Sequence, residues 1–338
     1  MAYIMLVLAA AFWGGNYVVG RVMVFHLPPG ILAEARWLVA SLPLLAIYRR
    51  NVIAELPILR ESLGRTLLLV LFGPVLFPTC LYVGLQYTTA VDAAMLLSAT
   101  PALVLVINRV MFRDTITPWN IGGVAFSTLG VLYLLTHGDL RTILTVPVGR
   151  GDLWALASAG SWAIYCACLR LKDRRMSSGG FITYSALFGA VMLLPFALPD
   201  AHLLDTAGFS VTLPMLLGVL YLALFPSIAS YMLWNKGISL IGSTRGEIYT
   251  HFIPLFAVVF SVIFLKTPFF VYDWISGGLI ISGIVLSSRS FRKKSLGAAN
   301  KTPEVTSQTH LSSEHVIDEP AVHHRPGSCN GLGAFDEK

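Results

Sequence analysis

On one stretch of the chain Ser227, Ser230, Tyr231 and Trp234 fall at i, i+3, i+4 and i+7, the spacing that gathers side chains on one face of an α-helix. Three shorter combinations repeat the theme at i, i+3 or i, i+4: Trp13 with Asn16, Tyr82 with Gln86, and Trp162 with Tyr165. Hydroxyls, amides and flat rings donate, accept and stack, and together they make the wall of a small-molecule pocket that binds without making or breaking bonds. Ring packing, and serines bonded to their own helix backbone, would produce the same residue types. This face is therefore a candidate cavity lining.

Ionisable residues within apolar segments are few, and each is costly unless paired or facing water. Glu34 and Arg36 sit four to six residues inside one end of an apolar run, roughly 6–9 Å at 1.5 Å per residue. About 200° apart on the helical wheel, they do not face each other. Arg36 either snorkels to the interface or pairs between helices, or else it contacts substrate or forms part of a gate. Asp92 lies at the end of another run. Glu247 and His251, at i and i+4, would share a face, as a helix-end polar pair or as a carboxylate–imidazole relay for a proton. With no unpaired charge expected at mid-depth, an inorganic ion is a poor cargo and an amphipathic metabolite a better one. Pro101 and Pro254 lie inside two runs, where each removes a backbone bond and kinks the helix, as a hinge or as fixed packing.

No Gly-x-Ser-x-Gly, His-Glu-x-x-His or Walker-like sequence occurs, which argues against a membrane-embedded enzyme and an ATP-driven pump. No metal or other cofactor is expected. Cys80, Cys166 and Cys168 read as buried hydrophobes.

The elements that would position these side chains are membrane helices. The chain has 338 residues, 55% of them hydrophobic and 12% charged, with a mean hydropathy of +0.71. Soluble domains carry about 25% charged residues, so this surface faces lipid. Runs long enough to span about 30 Å of hydrocarbon occur at about 2–21, 30–47, 66–86, 91–108, 119–136, 152–171, 180–198, 213–235, 244–265 and 273–290. An all-α, ten-helix polytopic protein is predicted. The first run reads as a span, because no basic residue precedes it as a signal peptide requires.

A net charge of +6 here signals topology and not nucleic acid. One alternating set of loops holds sixteen basic residues, among them Arg49, Arg170, Lys172 and Lys294, and the other set holds four, Arg21, Arg141, Arg150 and Lys266. That bias puts both termini in the cytoplasm of a cell (inner) membrane. The two halves also echo each other. Trp13 and Arg21 recur as Trp162 and Arg170 at an offset of 149; Gly84, Pro101 and Gly130 recur as Gly237, Pro254 and Gly283 at 153. Phe77-Pro78 is matched with Phe225-Pro226 through a shifted register. Five spans per half is odd, so residues 1–138 and 150–290 would be inverted repeats with a site at their interface. Asn16 corresponds to Tyr165 in that register, close to the pseudo-twofold.

FWGGNYVVGR at 12–21, ARWLVASLPLL at 35–45, GLQYTTAVDAAMLLSATPALV at 84–104 and GEIYTHFIPLFAVVFSVIFL at 246–265 together resemble the EamA-type family of the drug/metabolite transporter superfamily. The resemblance covers about 1–290. It implies a ten-helix inverted-repeat carrier with a central cavity, moving amino acids or other small metabolites, often outward. Members often end the fourth and ninth spans with Gly-Glu, where this chain has Arg113-Asp114 and Lys266-Thr267. The expectation is a secondary transporter, an exporter of a small amphipathic metabolite such as an amino acid, working by alternating access with proton coupling left open. A facilitator, exchanger or channel is the alternative. Partners are the substrate and the lipid bilayer, with a homodimer open and nucleic acid excluded. Residues 296–338, rich in Ser, Thr, Pro, Gly and His, lack amphipathic period and read as a disordered cytoplasmic tail.

Overall fold

The computed structural model describes residues 1–286 apart from 137, 145–148, 207–209, 267, 269, 273 and 284. The tail from 296, with its histidines and Cys329, lies outside the described residues. Among the described residues there are helices and no strands, as lipid requires when every backbone group must be satisfied within its own segment. Among these described residues seven helices are long and apolar enough to cross a membrane: α1 (Ala2–Met23), α2 (Pro29–Glu61), α3 (Leu63–Leu85), α4 (Ala90–Phe112), α7 (Ser178–His202), α8 (Leu213–Ile241) and α9 (Ser243–Phe264). Three others, α5 (Pro118–Leu135), α6 (Arg150–Cys168) and the shorter apolar α10 (Trp274–Gly283), lie among them in the chain. The protein is thus a multi-pass membrane protein.

α2 is longer than its apolar run. Its 33 residues reach about 50 Å at 1.5 Å each, so its last turns, with Arg49, Arg50 and Arg60, extend beyond the hydrocarbon. Four helices carry irregular turns in matched places. α3 widens to a π turn at Leu71–Leu76 and α8 at Ala223–Ala229, each holding a proline, Pro74 and Pro226. Pro74 and Pro226 thus stand in like turns 152 residues apart, and Pro78 lies at the start of the α-helical stretch that follows the first. α4 and α9 tighten to 3₁₀ turns at Leu97–Ala99 and Glu247–His251. Pro101 and Pro254 stand just after these turns, in the first residues of the restarted α-helix, where a missing N–H is least costly.

Helix contacts recur when the halves are exchanged. α1 packs on α8 and α3 on α6; α1 packs on α9 and α4 on α6; α2 and α7 lie along each other. The repeated glycines sit in these contacts. A Cβ on Gly84 would lie 3.0 Å from the Gly151 carbonyl oxygen at the start of α6, and one on Gly237 would meet Leu6 at 2.7 Å at the start of α1. Gly130 and Gly283 are the two sides of one crossing, α5 on α10.

α4 and α9 also end alike. Arg113 (φ 55°) and Lys266 (φ 56°) hold the left-handed cap, a conformation that strains a residue with a Cβ and suits glycine. Arg113→Gly and Lys266→Gly should each stabilise the protein, by about 0.5–1 kcal/mol once glycine's greater unfolded-chain freedom is set against the relief. The thermal unfolding midpoint in detergent reads this, and unchanged or lowered midpoints would contradict it.

Candidate functional site

α1, α2, α3, α6, α8 and α9 converge on a set of buried rings and polar groups. Small residues line the approach: Ala9, Ala10, Ala33, Ala40, Ala159 and Ala163 are all fully buried. They let the backbones close in around larger side chains.

Trp13 and Trp162 meet edge-on at a centroid distance of 4.8 Å, and Trp234 and Tyr231 lie 5.2 and 5.8 Å from Trp13. Tyr165 is 5.0 Å from Trp162, and Trp37 is 5.2 Å from Tyr231. The π turns supply acceptors to this group, because a widened turn frees carbonyls from the helix ladder. The Trp13 indole N–H donates to the Pro226 carbonyl at 3.0 Å, the Tyr231 hydroxyl to Gly73 at 3.0 Å, and Ser161 to Phe72 at 2.7 Å.

Beside the rings lies Arg36, 0% exposed. It does not snorkel. Ala33, Arg36, Trp37 and Ala40 form the buried face of α2, and this turns the guanidinium inward. Its Nε donates to Ser227 Oγ at 2.8 Å, and Nη1 donates to Tyr82 Oη at 2.8 Å and Asn16 Oδ1 at 3.4 Å. Tyr82 in turn donates to Asn16 Oδ1 at 2.9 Å, and Ser227 to the Leu222 carbonyl at 2.7 Å. The guanidinium carbon also lies 5.5 and 5.7 Å from the Trp37 and Tyr82 rings, within cation–π range. The expectation of a neutral mid-depth is corrected: a charge sits in the centre of the bundle.

Of the stripe on α8, Ser227, Tyr231 and Trp234 join this network. Ser230 instead donates to the Ala9 carbonyl at 3.2 Å and ties α8 to α1. Gln86 is half-buried at the end of α3 and takes no part in the network. Asp92 serves the start of α4, its backbone N–H bonded to Thr89 Oγ1 at 3.0 Å. Glu34 is half-buried, with Oε2 unpartnered.

Glu247 and His251 are both buried but do not pair. The segment joining them is 3₁₀, with three residues per turn, so i+3 eclipses i while i+4 is rotated away. His251 Nε2 donates to the Ser98 carbonyl at 2.9 Å, while Glu247 lies beside the Cys166 thiol and the Trp162 indole without closing a hydrogen bond to either. Trp234 Nε1 donates to Cys166 Sγ at 3.4 Å. Trp37, Cys166 and Asn235, the last bonded to Tyr165 at 2.8 Å, belong to the site although their types alone gave no signal. The cysteines at 80, 166 and 168 are buried and free, and the described residues hold no metal-ligating cluster.

Most polar groups buried in a folded protein are hydrogen-bonded. Here Asn16 Nδ2, Arg36 Nη2, Trp37 Nε1, Trp162 Nε1, both oxygens of Glu247 and His251 Nδ1 are buried without partners among the described residues. Asn16, Arg36 and Trp37 lie in the Arg36 network and Glu247 beside Trp162 and Cys166, while His251 stands on Ser98 and the unpartnered oxygens of Glu34, Glu55, Ser98, Thr128, Ser158 and Ser276 lie elsewhere. A cavity of about 800 Å³ is lined by Cys166 and Asn235 together with Arg170, Lys172, Arg174 and Lys236.

At the same end α4, α6 and α9 are tied together. Arg170 bonds Asp114 at 2.6 and 3.1 Å and Asn108 at 3.2 Å, and Asn108 reaches Ser243 and Thr244 at 3.1 and 2.9 Å. The bond from Arg170 holds the Asp114 carboxyl below its ordinary value of 3.8. A depressed carboxyl stabilises above the unfolded value and loses that contribution as pH falls through the folded one, so the tie is complete at neutral pH. Both side chains are about a third exposed. Asp114→Asn should therefore cost about 0.5 kcal/mol or less and flatten the acid-side loss of stability. Melts from pH 7 downward test this, and an unchanged acid limb would contradict it.

The EamA-like transporter family pattern matches residues 1–136 and again 149–289. The uncharacterised transporter YetK of Bacillus subtilis is 30% identical over 290 residues, 85% of this chain and 86% of that protein. A Salmonella typhimurium protein described as a probable amino-acid metabolite efflux pump is 23% identical over 295 residues, 84% and 94% of the two chains. A solved crystal structure superimposes with a TM-score of 0.65 at 17% identity, covering 86% of this chain and 98% of its own, and so shares the fold. Matched along both halves, with a membrane-helical fold around a buried polar centre, the chain belongs to the EamA-like transporter family.

Proposed function

We propose that the protein is a secondary carrier that exports a small amphipathic metabolite, such as an amino acid, by alternating access about the Trp13–Trp162 centre. The observation that carries this reading is the gathering of unpartnered polar groups among aromatic rings inside an apolar bundle. A fixed structural core would satisfy those groups, whereas a site that takes and releases a polar ligand leaves them open. In this reading α1–α10 are ten spans arranged as two inverted five-helix repeats, 1–138 and 150–290, with both termini in the cytoplasm of the cell (inner) membrane. The contacts that recur on exchanging the halves support the inversion, and the basic loops support the orientation. The Salmonella relative described as an efflux pump supports the cargo and the outward direction.

Glu247 is the residue for proton coupling, buried at the inner side of the rings with both oxygens uncommitted. His251 is engaged by Ser98 and does not relay to it. The test is counterflow in proteoliposomes across a panel of amino acids and related metabolites. A carrier shows saturable uptake accelerated by substrate on the far side; flux without such stimulation would make the protein a channel or passive facilitator. Glu247→Gln should reduce uptake driven by a pH gradient at least about tenfold, equivalent to 1.4 kcal/mol, while sparing exchange. Equal loss of both would remove the coupling role.

A further inference from the structure

We propose that Arg36 and Asn16 form the seat for the carboxylate of a small monoanionic cargo, fed from the basic cavity at the inner end of α6 and α8. The proposal rests on the carrier reading and narrows its amphipathic metabolite to a monocarboxylate, whose net charge of −1 sets it apart from a zwitterionic amino acid.

The first ground is charge. Every acceptor on Arg36 is neutral: Ser227 Oγ, Tyr82 Oη and Asn16 Oδ1. Among the described residues no carboxylate lies within ion-pair distance of it. A desolvated cation without a counter-charge is expensive, and hydrogen bonds from neutral oxygens only partly offset that. An arriving anion completes the balance.

The second ground is which donors are left over. The hydroxyls of Tyr82 and Ser227 are themselves committed, to Asn16 Oδ1 and the Leu222 carbonyl. They fix the guanidinium in place and leave Nη2 with its two N–H groups free. Asn16 is held through its oxygen, so Nδ2 of the same amide is free as well. A planar guanidinium edge is matched to carboxylate geometry. One positive charge balances one negative charge, which favours a monoanion over a doubly charged phosphate ester.

The third ground lies outside the rings. Arg170, Lys172, Arg174 and Lys236 line the 800 Å³ cavity, and no Asp or Glu shares the lining. Arg170 is engaged with Asp114, and Lys172 donates to the Met176 carbonyl at 2.6 Å; Arg174 and Lys236 are exposed. Asp114 answers the charge of Arg170, and Glu55 and Asp173 face Lys172, which leaves Arg174 and Lys236 as the cations that would draw an anion toward the cavity floor. That floor is Cys166 and Asn235, in contact with Trp234 and Tyr165. Between floor and seat the rings of Trp13, Trp162, Tyr231 and Trp234 pack on one another, so an apolar body attached to the acid would have to part them on its way to Arg36.

Matched pairs of compounds test this, phenylacetate with phenylacetamide and isovalerate with isovaleramide. Each is titrated against the full chain in lipid nanodiscs and read by intrinsic tryptophan fluorescence. At least one acid should bind about tenfold or more tighter than its amide. Arg36→Gln should collapse that ratio to near one, and Asn16→Ala should lower it severalfold. Arg36→Lys, which keeps the charge and loses the fork, should retain an intermediate ratio, and it decides the matter if Arg36→Gln does not fold. No acid preference in the wild-type protein, including no response to any of the four, overturns the seat. So does a ratio that survives loss of the Arg36 charge. Counterflow is measured separately: acid preference without counterflow would remove the carrier and leave the seat, and counterflow without acid preference would do the reverse.

Discussion

Trp162→Ala is expected to lower stability by about 3–5 kcal/mol, the range for deleting a large buried aromatic, and to abolish transport. Trp162 is 1% exposed and touches the rings of Trp13, Phe77, Tyr165, Tyr231 and Trp234 at centroid distances between 4.8 and 6.0 Å. Ring pairs in such contacts add about 0.5–1.5 kcal/mol beyond their buried area. Truncation leaves a hole on whose far side Trp13 loses its nearest neighbour. Trp162→Phe separates packing from recognition, because it keeps most of the volume and removes the uncommitted indole N–H. That variant should fold and yet bind ligand more weakly. Unfolding midpoints and counterflow rates, measured together, check both. An alanine variant with the wild-type midpoint would mean that the rings do not hold the bundle's centre.

The second large effect is steric. A Cβ on Gly283 would stand 2.5 Å from the Ser127 backbone nitrogen and 2.7 Å from the Gly123 carbonyl oxygen. Backbone cannot swing aside as a side chain can, so Gly283→Leu must push α10 off α5. Overpacking in cores costs about 1–3 kcal/mol where neighbours can repack, and this site should lie at or above the upper end. Gly278, in the same helix, is the control: it is exposed, with nothing within 4 Å of an added Cβ, and Gly278→Leu should leave yield and midpoint nearly unchanged. The readout is monodisperse protein recovered from membranes. Equal recovery of the two variants would remove the crossing as a structural requirement.

Much of this arrangement was legible in residue order. Apolar length marked most helices, and the residues matched by fixed offsets, Trp13 with Trp162 and Gly130 with Gly283, fall at the same two helix contacts in the structure. What was not legible has a common cause, since a helical wheel assumes one constant pitch. Across Glu247–His251 the turn is tighter, which parted a pair that the wheel put together. Across Leu71–Leu76 and Ala223–Ala229 the turn is wider, which a wheel of constant pitch does not anticipate. For Arg36 the sequence left snorkelling open beside pairing between helices, and the structure has the pairing. A long stem lets the charge end several ångströms from its Cα, so depth along the helix does not fix where the guanidinium goes. The small residues Ala33 and Ala40 on the same face were the available signal, because a close helix approach there leaves no lipid for the charge to skirt. The segments read as spans at α5, α6 and α10 are helical as well, α10 being the shorter apolar one.

The wide turn in α8 bears on how such a helix can rearrange. A loop of surplus pitch can travel: moving it one step toward either end surrenders one liberated carbonyl, releases another, and swivels the intervening residue by about 100°. Ser227 lies within that stretch, so sliding the slack past it would withdraw its hydroxyl from Arg36 while both ends of the rod stayed anchored. The grip on the cation is thus taken from a stretch whose winding differs from that of the rest of the rod.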